Sequence, residues 1–129
     1  MARTSILAGI AAATLVAGTV GAAAPAAADD RKARSGDCSR QSVYRMTLAE
    51  RDDDRLHSTF FINGKRDNAR WNVTFKRAGQ VVHRDTKRAN NRGNVFFADT
   101  FRGDDDATVR IIARAGYGER CTRAFSLDD

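Results

Sequence analysis

The sequence predicts an all-β protein, an antiparallel sandwich of seven short strands, and three observations predict it. Apolar and polar residues alternate with a period of two in run after run, which is the pattern of half-buried strands. Turn residues (Asn-Gly, Arg-Gly and clusters of Asp) separate those runs at fairly regular spacing. No window shows the i, i+3, i+4, i+7 apolar recurrence of an amphipathic helix, and the acidic residues are mostly Asp, which favours turns, rather than Glu, which favours helices.

The first expected strand, 42–49, places Tyr44, Met46 and Leu48 on one face, and a charged turn follows at 50–54. The second, 55–63, sets Leu56, Ser58, Phe60 and Ile62 against His57, Thr59 and Phe61. An Asn63-Gly64 step opens the next loop. The third and fourth, 70–75 and 80–87, form a hairpin about Gly79, in which Trp71, Val73 and Phe75 alternate with Asn72, Thr74 and Lys76. A loop over 88–93 leads to the fifth strand, 94–100, and the turn at 101–106 to the sixth, 107–115, with Val109, Ile111 and Ala113 on its apolar face. Gly116-Tyr117-Gly118 turns the chain into the seventh, 119–127, which carries Cys121 and Phe125. Trp71, Val73, Phe75, Phe60, Val109 and Ile111 are the expected core.

Ahead of these runs lies a segment of a different kind. Met1-Ala2-Arg3 opens a positive region, an Ala/Gly/Val/Leu-rich run follows, and Ala26-Ala27-Ala28 supplies the small residues of a cleavage site. This is the composition of a secretory signal peptide over 1–28, cleaved after Ala28. Of 129 residues, 101 remain for one small domain, and losing Arg3 lowers the net charge from +6 to +5. Residues 29–37, polar and basic, are expected to be a flexible tail, and 38–129 the domain. Export and an even pair of cysteines make Cys38–Cys121 a disulfide. A structural metal is not expected, because two isolated cysteines and two distant histidines lack ligand spacing, and neither is a cofactor.

From Cys38 to Cys121 the chain resembles the small secreted β-sandwich proteins of high-GC actinobacteria. The resemblance is carried by Asp54-Arg55-Leu56-His57, Arg70-Trp71-Asn72-Val73, Gly79-Gln80-Val81-Val82-His83, Arg92-Gly93-Asn94-Val95 and the late cysteine. It implies an immunoglobulin-like fold and export, and it hands over no catalytic residues. The cysteines fall on the first and last strands, unlike the disulfide of true immunoglobulin domains.

With immunoglobulin strand order, alternate turns gather at opposite ends. One end is then acidic, collecting Asp52–Asp54, Asp104–Asp106 and Asp128-Asp129, with Lys76 and Arg77 as counterweights. The other is basic, collecting Lys65, Arg66, Lys87, Arg88, Arg92, Tyr117 and the tail residues Arg31, Lys32 and Arg34, with the disulfide beside them. Neither Asp triad has the spaced pattern of a calcium loop, and solvated turn charges are the expected reading. Arg102-Gly103-Asp104 is read as a chance tripeptide in a chain rich in Arg, Gly and Asp.

No Gly-x-Ser-x-Gly, phosphate loop or zinc signature is present. His57, His83, Glu50 and Glu119 are scattered over strands and turns, so no enzyme is expected. The expected function is a secreted, non-catalytic binding module. Its basic loops (Lys65, Arg66, Lys87, Arg88, Arg92, Tyr117) would recognise a polyanion, such as an anionic cell-wall polymer, or an extracellular protein. The alternatives are a hydrolase inhibitor, a small-ligand carrier with a groove floored by Trp71 and Phe residues, and a small ribonuclease with Glu50 on a helix opposite His83.

Overall fold

The computed structural model describes residues 30–52 and 54–129; the expected signal segment 1–28, together with Asp29 and Asp53, lies outside them. Eight strands run in chain order: β1 Arg31–Asp37, β2 Val43–Glu50, β3 Arg55–Asn63, β4 Arg70–Arg77, β5 Gln80–Arg88, β6 Asn94–Arg102, β7 Val109–Ala115 and β8 Arg120–Phe125. They form two four-stranded antiparallel sheets, β1-β2-β3-β6 and β8-β7-β4-β5, packed in a sandwich-like all-β arrangement with no helix among the described residues.

Alternation explains the core. The inward residues of β2, β3, β4, β6 and β7 meet between the sheets, and Phe60, Trp71, Phe75, Val109 and Ile111 retain 0% exposure and Val73 1%. Two Phe-Phe dipeptides show the pleat directly. Phe60 pairs with Phe97 and Phe61 with Phe96, so each strand sends one ring into the core and its neighbour into solvent. Trp71 sits in the inner strand β4, its indole edge-on to the Tyr117 ring at 6.2 Å. The β4–β5 hairpin closes through Ala78 (φ 50°) and Gly79 (φ 84°), a two-residue turn with both φ positive that matches the strand twist.

Two expectations are corrected here. Residues 31–37 are not an extension outside the sheets; they form the edge strand β1, so the strands number eight rather than seven. The reason is backbone pairing: β1 runs antiparallel to β2 from Arg31 opposite Ala49 to Asp37 opposite Val43. That direction also places Arg31, Lys32 and Arg34 toward the acidic end instead of the basic one. Glu50 N–H donates to the Asp30 carbonyl, Lys32 Nζ donates to the Asp129 carbonyl, and the Arg34 guanidinium lies 5.1 Å from the centre of the Phe125 ring. The aliphatic stems of Lys32 and Arg34 take the inward positions of β1 and shield the edge of the core.

The Cys38–Cys121 disulfide is present, with 4.3 Å between the Cα atoms, and joins the exit of β1 to β8. The turns after β2, β4 and β6 share one end of the molecule. Gly103 N–H donates to the Asp54 carbonyl at 2.9 Å and Asp128 N–H to the Asp105 carbonyl at 3.2 Å, so the aspartate-rich turns adjoin.

Candidate functional site

At the opposite end, the β3–β4 and β5–β6 loops touch backbone to backbone. Gly64 N–H donates to the Gly93 carbonyl at 2.8 Å, and a Cβ at Gly93 (φ 84°) would come within 2.6 Å of the Gly64 carbonyl oxygen. Only glycine permits that approach. It brings Lys65-Arg66 and Arg92 to the same end. The Arg66 guanidinium lies over the Tyr117 ring, 4.3 Å from its centre.

Beneath this pair is a buried acid that the sequence reading left unassigned. Glu119, 1% exposed, accepts hydrogen bonds from Arg40 N–H (3.0 Å), Ser42 N–H (2.8 Å), Ser42 Oγ (2.6 Å) and Tyr117 OH (2.6 Å). Burial by itself would raise its pKa, but the hydrogen bonds from Ser42, Tyr117 and Arg40 outweigh it and hold the carboxyl below its ordinary range. Burial, followed by the bond to Glu119, raises the Tyr117 phenol in turn. The Tyr117 hydroxyl is therefore committed to Glu119 and one ring face is covered by Arg66. Of the six residues expected to meet a polyanion, Tyr117 also supports the fold: it anchors Glu119 through its hydroxyl and carries Arg66 on one ring face, and it is half-buried beside Lys65 and Arg66.

Four of the remaining five fall into two groups. Lys65 and Arg66 border a small pocket of about 180 Å³ with Arg40, while Lys87 and Arg88 border another of about 340 Å³ with Phe61 and Phe96. Arg92 is exposed in the β5–β6 loop between them in sequence, its N–H bonded to Asn90 Oδ1.

A larger feature links these groups. On the outer face of the sheet β8-β7-β4-β5, the registers line up four rows: Arg70 with Arg88; Arg120, Arg114, Asn72 and Thr86; Thr122, Ile112, Thr74 and Arg84; Ala124, Arg110, Lys76 and Val81. The face thus carries seven cations (Arg70, Lys76, Arg84, Arg88, Arg110, Arg114, Arg120) and no carboxylate. Three pairs of like charge stand directly opposite each other: Arg70–Arg88, Arg114–Arg120 and Arg110–Lys76. The ion pairs His83–Asp99 and Arg102–Asp54 both lie off this face. Cations about 5 Å apart across strands and about 7 Å apart along them are closer than the screening length at physiological salt, so they repel. The sequence signal for this face was the alternate polar positions of the strands, which are basic or neutral throughout. Reading it required knowing which strands are neighbours.

Among the described residues, the arrangement nearest to a cation site lies at the acidic end. The carboxylate oxygens of Asp30, Glu50 and Asp105 lie within 4.8 Å of one another, and only Asp105 belongs to the triads singled out from sequence. The nearby Asp104 raises the Asp106 pKa, which is the behaviour of crowded solvated acids.

Both histidines find partners on β6, and the two glutamates lie apart. His57 Nδ1 bonds Thr100 Oγ1 at 2.8 Å, and burial followed by Arg51 lowers its pKa; His83 lies 3.8 Å from Asp99; Glu50 and Glu119 occupy opposite ends. Trp71, Phe60 and Phe75, wholly buried, floor no groove between the sheets. No family model, curated protein or solved structure matches the chain.

Proposed function

We propose that this protein is a secreted, non-catalytic binding module, freed from its signal segment after Ala28, that holds an extended polyanion on the outer face of β8-β7-β4-β5 and the adjoining basic loops. The immunoglobulin-like reading of the sandwich rests on strand neighbours: β8-β7-β4 in one sheet and β3 beside β6 in the other follow that architecture's order. The disulfide accords with an oxidising compartment, and no described helix is long and apolar enough to cross a membrane.

The observation that carries the binding reading is the face with seven cations and no acid, including three opposed like-charge pairs. Such pairs cost stability in the free protein. A polyanion removes that cost and releases its own condensed counterions on binding. Lys65, Arg66 and Arg92 extend the positive surface beyond the sheet at the end where Arg70, Arg88, Arg114 and Arg120 lie.

The test is titration with long-chain inorganic polyphosphate over a range of salt concentrations. The expected affinity falls log-linearly with salt, and an Arg84→Ser/Arg110→Ser/Arg114→Ser variant flattens the slope by about 2 to 3. Failure of the unaltered protein to bind at low salt would end this reading.

A further inference from the structure

Resting on that reading, we propose that the polyanion is single-stranded nucleic acid, its bases stacked on Phe61 and Phe96 and its phosphates held by the cations that flank them. The two rings are cross-strand neighbours on the outer face of β1-β2-β3-β6, 37% and 49% exposed. A cation stands on each side of them. Arg45 is the cross-strand partner of Phe61, exposed on the same face. On the other side, Lys87 reaches from β5 across to β6, where its Nζ donates to the Phe96 carbonyl at 2.9 Å. Arg88 borders the same shallow pocket as both rings and is also the partner of Arg70 on the basic sheet face. The β5–β6 edge is therefore the route by which a backbone bound on one sheet reaches the aromatic platform on the other.

Two rows flank the rings: Ala33, Thr47, Thr59 and Ala98 on one side, none large enough to cover them, and Asp37, Val43, Asn63 and Asn94 on the other, with Val43 itself 41% exposed. Flat aromatic side chains on a sheet, edged by cations, suit unpaired bases, because every base has a π-face to stack. A duplex hides those faces inside its own stack, and polyphosphate has none. Charge alone would explain the basic face; it does not explain two adjacent phenylalanines left in water between cations.

The experiment measures fluorescence anisotropy of labelled oligothymidylate and oligouridylate, a DNA duplex of the same length, and polyphosphate as competitor, with the unaltered protein and with Phe61→Ala/Phe96→Ala. Both rings are surface residues, and an unchanged thermal transition confirms the fold of the variant. The expected result is a preference for at least one single strand over the duplex, and a loss of at least about tenfold in its affinity in the variant while polyphosphate binding holds within about twofold. Equal affinity for single strand, duplex and polyphosphate, or equal losses for all three in the variant, would overturn the nucleic-acid assignment and leave polyanion binding standing. No binding of any of them at low salt would overturn both.

Discussion

Charge reversal on the basic sheet face separates stability from binding. Lys76 stands opposite Arg110, and Arg120 opposite Arg114. Replacing both with glutamate turns two repulsive pairs into attractive ones. Opposed charges on a sheet contribute a few tenths to about 1 kcal/mol per pair, and exposure keeps these at the lower end, so about 0.5 kcal/mol per site is expected. The pairs stand at opposite ends of β7, four residues or about 13 Å apart, and their effects add to about 1 kcal/mol. For a domain of this size the melting temperature rises by about 4–8 °C. The gain is largest near 0.02 M salt and mostly gone by about 0.5 M, where screening acts within a few ångströms. Over the same series polyphosphate affinity falls and its salt slope flattens by about 2. Circular-dichroism melts at the two salt concentrations, beside the polyphosphate titration, read both quantities. A melting temperature that is unchanged or lower at low salt would refute the argument, because the cations would then not be repelling one another.

The other predictions concern what holds the fold. Replacing Cys38 and Cys121 by serine opens a loop with a sequence separation of 83 and should remove about 4–5 kcal/mol in the chain-entropy description, read as a lower denaturant midpoint with a steeper slope, because the uncrosslinked unfolded chain exposes more surface. Glu119→Gln leaves donors at Arg40, Ser42 and Tyr117 without a charged acceptor and should cost roughly 3 kcal/mol in denaturant titration; a loss below about 0.5 kcal/mol would contradict the buried network. The same carboxyl makes stability depend on acid. Because its folded pKa lies below the ordinary 4.5, the contribution is complete above about that pH and is lost as pH falls through the lower folded value; denaturation followed from pH 6 down to pH 2 should show a drop that Glu119→Gln largely lacks. Gly36→Ala would put a Cβ 2.5 Å from the Tyr44 hydroxyl, disturbing a ring that stacks on Phe60 and accepts from Arg123, and should cost about 1–3 kcal/mol.

The parts of this protein written into local sequence are those that depend on alternation and on turn residues. Alternation together with turn residues marked seven of the eight strands, and the six residues expected in the core are all buried, because a strand with one face in the core must place its apolar residues on that face. The cysteine pair was legible for the same kind of reason: with two cysteines in all, composition leaves one possible pairing.

β1 was missed because Arg31–Asp37 has no apolar alternation to read. An edge strand needs only backbone partners, and those of β1 come from β2. Glu119 was missed because its four donors come from Arg40, Ser42 and Tyr117, and the first two are 79 and 77 residues away in sequence. The basic loops were named correctly as basic, yet the fold spends Tyr117 on the buried acid and divides Lys65-Arg66 from Lys87-Arg88.

By itself, then, the sequence determined which faces are apolar, where the chain turns and how it is crosslinked, since each follows from residues close in the chain or from composition. Tertiary structure alone decided which polar faces adjoin. Arg70, Arg84, Arg110, Arg114 and Arg120 lie on four strands that meet only when β7 inserts between β4 and β8, and Phe61 and Phe96 become neighbours only when β6 pairs with β3. Strand order is set by the packing of whole sheets, and no local pattern carries it.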